Sequence, residues 1–206
     1  MPIEIAAHAG FCMGVRRAVD SAVQVADSGV PSCTLGELIH NPTVVDMLRQ
    51  RGIPPVASAE EAAGRQVLIR SHGVAPEVIR QLEKAGCKVA DLTCPFVNKL
   101  HRVVAEDTGE DCPLIMVGER EHPEVKGTCG WARGKVYVVA TAEEAAQLPE
   151  MDQAAAAVQT TFPPERWEAI VAILRGRVQH LKEHNTICNA TAVRQREAKK
   201  LAAASD

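Results

Sequence analysis

No stretch of this chain is apolar for long enough to cross a membrane, and its start lacks the basic and apolar regions of a secretory signal. The expected compartment is therefore the cytoplasm, where thiols stay reduced. Charge of one sign is also missing. A formal net charge of −3 over 206 residues offers nothing to a polyanion, so no nucleic-acid partner is expected. The CxxC pairs of common zinc and ferredoxin sites are absent, as is HExxH, which disfavours a zinc hydrolase. No GxGxxG occurs, so no flavin or nicotinamide fingerprint is visible and electrons for any redox step must come from outside.

What remains is an ordinary globular composition, 46% hydrophobic and 24% charged, long enough for one large domain or two small ones. Short apolar runs alternate with helical patterns. Strands are expected at Ile3–Ala6, Gln66–Ile69, Lys88–Ala90, Pro113–Val117, Lys135–Val139 and Ala155–Gln159. Helices are expected at Gly14–Ala26, Thr43–Gln50, Pro76–Lys84, Phe96–Ala105, Ala142–Ala146, Pro164–Arg175 and Ala192–Ala203. This alternation predicts an α/β fold with parallel sheet, built from repeated small units.

Seven cysteines, an odd number, argue against a fully paired disulfide set. Three stand where a helix begins: Cys12 in GFCMGVRRAV, Cys94 in DLTCPFVNKLH and Cys188 in TICNATAVRQ. A helix N-terminus carries partial positive charge and free N–H donors, which favour a thiolate, the form that binds metal. Three such thiolates gathered from distant segments can hold an iron–sulfur cluster and leave one iron open. Cys33, Cys87 and Cys112 lie in or beside apolar strand-like segments and read as small buried hydrophobes. Cys129, in GTCGWA, has no helical pattern after it.

The histidines divide in a similar way. His40, His72 and His122 each follow an apolar segment and precede a turn or helix start. At the carboxyl ends of parallel strands they would suit an anion such as a diphosphate, though separate turn histidines fit the same pattern. His8 and His101 read as structural or exposed. His180 and His184, four apart, read as the end of a polar helix. Glu124, two residues after His122, is either a proton carrier or a solvated acid at a helix start. Thr160 and Thr161 follow a strand, placed to bond a ligand or to cap the next helix.

Taken in order, GFCMGVRRAV, GELIHNPTVVDMLRQRGI, LIRSHGVAPEV, DLTCPFVNKLH, EREHPEVKGT, AVQTTF and TICNATAVRQ resemble the 4-hydroxy-3-methylbut-2-enyl diphosphate reductase family, from Ile3 onward. The resemblance implies α/β units in pseudo-three-fold arrangement around a central 4Fe–4S cluster held by Cys12, Cys94 and Cys188. It implies that His40, His72 and His122 contact the substrate, the first two mainly at the diphosphate. It places Thr160 at the substrate hydroxyl and makes Glu124 the proton donor. It implies reductive dehydroxylation to isopentenyl and dimethylallyl diphosphate, with reduced ferredoxin or flavodoxin as electron donor. The expected units are 1–94, 95–187 and the start of a third at 188–206. Family members continue past this point with a Ser/Asn motif and a later serine, so the chain is expected to be C-terminally truncated. A cluster-binding fragment with impaired catalysis is the competing expectation.

Overall fold

The computed structural model describes residues 3–205. Its first half is a parallel four-stranded sheet in the order β2-β1-β3-β4. The strands are β1 (Ser32–Leu35), β2 (Pro55–Val56), β3 (Gln66–Ile69) and β4 (Lys88–Asp91). Helices α1 (Met13–Asp27), α2 (Pro42–Gln50), α3 (Ala59–Ala62) and α4 (Pro76–Lys84) alternate with them. The second half repeats this plan, with order β6-β5-β7-β8. Its strands are β5 (Leu114–Val117), β6 (Val136–Val139), β7 (Met151–Val158) and β8 (Val178–His184). Between them run α5 (Pro95–Asp107), α6 (Pro123–Cys129), α7 (Ala142–Ala146) and α8 (Pro164–Leu174); α9 (Asn189–Ala204) follows β8.

Parallel strands need helical crossovers, and those helices bury both faces of each sheet. The strand period of two divides the core accordingly. Leu68 faces Ala18, Ala22, Leu38 and Leu48, while its neighbours Val67 and Ile69 face Cys33 and Leu82 on the other side. In the second sheet Ile115 and Val117 pack with Trp167, Ile170 and Leu174; Leu114 and Met116 pack with Leu100, Val104 and Val125. Both sheets thus fit the α/β expectation, and no helix among the described residues is long and apolar enough to cross a membrane.

Two expectations need correction. Ile3–Ala6 is not a strand: it joins neither sheet, and Ile3 and Ile5 are exposed. The segment is instead tied to α9, where the Glu197 carboxylate accepts from the Ala7 and His8 N–H groups, each at 2.9 Å. His180 and His184 lie on strand β8, not on a helix. A spacing of four residues places two side chains on one face in either conformation, so it could not discriminate. No helix follows Cys129, as expected; it ends α6, a short helix whose start after His122 is one of the two readings of that segment. The short strands β1 and β2 were not expected; each is defined by its neighbours more than by its own residues.

Cys33 and Cys87 are buried as expected, whereas Cys112 is only partly so. His101 is a core residue, stacked on the Trp131 ring at 5.0 Å between centroids.

Candidate active site

Both sheets have a topological switch point, between β1 and β3 in one and between β5 and β7 in the other. There consecutive crossovers leave in opposite directions and open a crevice at the strands' carboxyl ends. His40 lies in the segment after β1 and His72 in the loop after β3. His122 and Glu124 follow β5, and Thr160 follows β7. Each expected ligand-contacting residue therefore sits at one of the two switch points.

The three histidines meet. The His40 and His72 ring centroids are 4.4 Å apart, and His122 lies 5.9 Å from His40 and 5.5 Å from His72. One ring nitrogen from each falls within 4.8 Å of the others, close enough to share a ligand. Close backbone approach brings His122 there. A Cβ on Gly127 of α6 would stand 3.2 Å from the Gly73 carbonyl oxygen, and one on Gly130 would stand 2.3 Å from Ala75 Cβ. Gly73 itself has φ +69°, and a side chain there would run into the His101 ring 2.4 Å away. The stacked His101–Trp131 pair, with Trp131 Nε1 donating to the Val74 carbonyl at 3.0 Å, thus floors the His72 loop.

Burial, then the neighbouring imidazoles His40 and His122, then Arg70 hold His72 down to about 3. His122 is shifted the same way, by burial and His40 first, with Glu119 opposing. His122 Nδ1 accepts the Glu124 N–H at 3.1 Å, so the neutral ring carries its proton on Nε2, free to donate.

Glu124 is 2% exposed, which excludes the solvated-acid alternative. Its carboxylate accepts from the Thr160 N–H at 2.6 Å and the Thr160 hydroxyl at 2.8 Å. Burial raises its pKa, and the two Thr160 bonds only partly offset that. Thr160 is buried in turn and its hydroxyl is committed to this carboxylate rather than to capping α8, whose N-cap is Pro163.

Cys12, Cys94 and Cys188 are the N-caps of α1, α5 and α9, and none uses its thiol as a cap. Equivalent bonds place two of them: the Cys94 N–H donates to the Ser71 carbonyl after β3, and the Cys188 N–H to the Thr160 carbonyl after β7, at 3.0 and 2.8 Å. Arg17 from α1 donates to the Thr93 carbonyl, and a Cβ on Gly14 would lie 2.5 Å from Cys94 Sγ. The Cys94 thiol is thus seated on the first turn of α1, beside Cys12. Cys188 feels both of the others. Its thiol is raised chiefly by burial, with Cys94, Cys12 and Glu124 adding to the effect, although the Ala190 N–H pulls it down as a helix start should. Three thiols at helix starts form a soft donor set of the kind that holds a multivalent soft cation, and the residues present fit an iron–sulfur cluster. A groove of about 350 Å³ reaches Thr160 and Cys188 between the start of α8 and α9; its lining does not include the histidines.

Arg70 carries no expectation from the sequence reading, yet its charge acts on both His72 and His122. The IRSH run at the end of β3 was the available signal.

The molecule is thus a two-sheet α/β protein whose switch points join a three-thiol site, a buried acid and a histidine cluster. The chain belongs to the family described as LytB protein, which matches residues 3–206. It is 44% identical over 207 residues to 4-hydroxy-3-methylbut-2-enyl diphosphate reductase of Citrifermentans bemidjiense, covering 100% of this chain and 73% of that protein. The protein of the same name from Aquifex aeolicus is 43% identical over 204 residues, covering 97% and 71%. A solved (E)-4-hydroxy-3-methyl-but-2-enyl diphosphate reductase, the terminal enzyme of the non-mevalonate pathway, superposes with TM-score 0.84 at 43% identity, over 97% of this chain and 73% of that one. The Plasmodium falciparum reductase also superposes with TM-score 0.84, at 26% identity, over 91% and 61%.

Proposed function

We propose that this chain performs the reaction its relatives are named for, the reduction of 4-hydroxy-3-methylbut-2-enyl diphosphate in isoprenoid precursor biosynthesis. Two electrons and two protons replace the allylic hydroxyl by hydrogen and release water, giving isopentenyl and dimethylallyl diphosphate. The observation that carries this reading is the double attachment of Thr160. Its N–H and hydroxyl bind the Glu124 carboxylate, while its carbonyl holds the Cys188 N–H, so acid and thiol site are set against each other.

Cys12, Cys94 and Cys188 would hold a 4Fe–4S cluster, which supplies electrons and an open iron as Lewis acid. Glu124 is the proton donor. Burial raises its pKa, which favours the acid form that a proton donor needs as the hydroxyl leaves as water. The Thr160 hydroxyl, now bonded to Oε2, is placed to bond the substrate hydroxyl and fix its direction. His40, His72 and His122 bind the substrate, the first two at the diphosphate, with neutral His122 donating from Nε2. A proton delivered to either end of the allylic system accounts for two products.

The units then run 1–94 and 95–187, with a third opening at 188. Reduced ferredoxin or flavodoxin is the proposed electron donor. The seven free thiols suit a reducing compartment such as the cytoplasm.

The test is anaerobic reconstitution with iron and sulfide, followed by turnover with a chemical reductant. Serine at Cys12, Cys94 or Cys188 is expected to lose iron and activity; serine at Cys33, Cys87, Cys112 or Cys129 is expected to keep the iron. Full iron content in Cys188→Ser would overturn the three-ligand centre. An intact centre without turnover of the diphosphate would leave the cluster-binding fragment as the correct reading.

A further inference from the structure

Arg70 is the residue immediately after β3, two before His72. Its side chain turns back across the switch point toward the end of β1. Nη1 lies 2.9 Å from where a Cβ on Gly36 would stand, which puts the guanidinium against the backbone just after β1. The guanidinium is partly buried and its Nε is fully buried with no acceptor. Among the described residues no carboxylate pairs with it. Glu37, the residue after Gly36, faces His40 at 3.7 Å instead. An arginine with a buried, unpartnered Nε and no counter-ion is costly to keep, because that donor and part of its charge have lost water without a replacement. Such a group at a crevice is relieved by an anion that brings oxygens to it.

The surroundings favour an anion of high charge. Three imidazoles converge beside the arginine, and His72 is neutral through the physiological range. Neutral rings donate hydrogen bonds but add no charge. Arg70 is the permanent cation whose field reaches both His72 and His122. The same field opposes a metal cation at the histidine cluster, which the ring spacing alone would have allowed.

The geometry points to Arg70 as a direct ligand of the substrate diphosphate, its fork taking phosphate oxygens while the histidines donate beside it. This assignment rests on the diphosphate reading of the histidine cluster. Planar guanidinium donors suit phosphate oxygens two at a time, which an ammonium cannot reproduce.

The experiment uses inorganic pyrophosphate as the probe and calorimetry on the chain as it stands, so that it needs neither cluster nor turnover. Arg70→Met is expected to weaken pyrophosphate binding about 10- to 100-fold, as befits a lost charge-assisted contact. Arg70→Lys is expected to recover only part of the loss. Should the methionine variant misfold, Arg70→Gln, which keeps the polar end without the charge, is expected to show the same weakening. In the wild-type chain, saturating pyrophosphate is expected to slow phenylglyoxal modification of Arg70, read by mass spectrometry. Wild-type binding with unchanged affinity in the folded variants and no protection would overturn the arginine's role alone. Failure of the wild-type chain to bind pyrophosphate at millimolar concentration would overturn the anion site itself, and this proposal with it.

Discussion

At the scale of single residues, Glu124 shows how a side chain acquires its chemistry from its surroundings. Taken as part of HPEV it is an acid in the first turn of a helix, which would ordinarily face water and favour the ionised form. Here it is buried against Thr160, and desolvation outweighs the hydrogen bonds that favour ionisation. The sign follows directly. A carboxyl with a raised pKa keeps its proton to higher pH, so its acid form is lost only as pH climbs past the normal carboxylate range. The rate kcat is therefore expected to fall along that alkaline limb. Glu124→Gln keeps the shape and the bond from the Thr160 N–H but has no proton to give. It is expected to lower kcat by ~10²–10⁴, with pyrophosphate affinity unchanged by calorimetry. A variant that retains wild-type kcat would show that the proton comes from another group.

At the scale of elements, α6 matters more than its length suggests. It carries His122 at its N-cap and presents Gly127 and Gly130 to residues 73–75 of the first half. Those glycines let a short helix lie directly on the loop that bears His72. In Gly130→Ala a methyl would have to share space with Ala75 Cβ, 2.3 Å away. Overpacking of this kind typically costs ~1–3 kcal/mol. The variant is expected to lower the denaturant midpoint and to weaken pyrophosphate binding as the histidines separate. Ala75→Gly in the same chain removes the opposing methyl and is expected to restore most of both, a coupling measurable as a double-mutant cycle. Additive losses in the double variant would mean that the two residues do not oppose each other.

For the molecule as a whole, buried histidines set the response to acid. His72 is depressed to about 3 and His101 to about 4, in both cases by burial first. An unfolded chain takes up these protons below about pH 6.5, while the folded chain refuses them until much lower. Stability therefore rises with pH through this window, each histidine adding a slope of about 1.4 kcal/mol per pH unit. Glu124, shifted upward, works against them above its ordinary pKa. The lowered carboxyls of Asp107, Glu183 and Glu197 act in the same sense as the histidines but at lower pH. His101→Gln is expected to flatten the dependence of unfolding free energy on pH between 5 and 6.5 by roughly one histidine's slope. Equal slopes in the two chains would mean that His101 is protonated in the folded protein.

Much of this was legible in local pattern. Pro76–Lys84 and Ala142–Ala146 are helices with the limits expected of them, because apolar period and start residues are properties of the segment itself. Cys12, Cys94 and Cys188 could be singled out for the same reason: a helix start is a local event. Ser32–Leu35 and Pro55–Val56 could not: SCTL lacks the apolar run that marks Gln66–Ile69, and a two-residue strand carries no period of its own and exists only through its ladder. His180 and His184 misled because one spacing serves two conformations. The meeting of His40, His72 and His122, the burial of Glu124 and the unpaired guanidinium of Arg70 all lie beyond local pattern. They arise where two switch points open toward one another, and a side chain's solvation and neighbours are set by segments far from it in the chain.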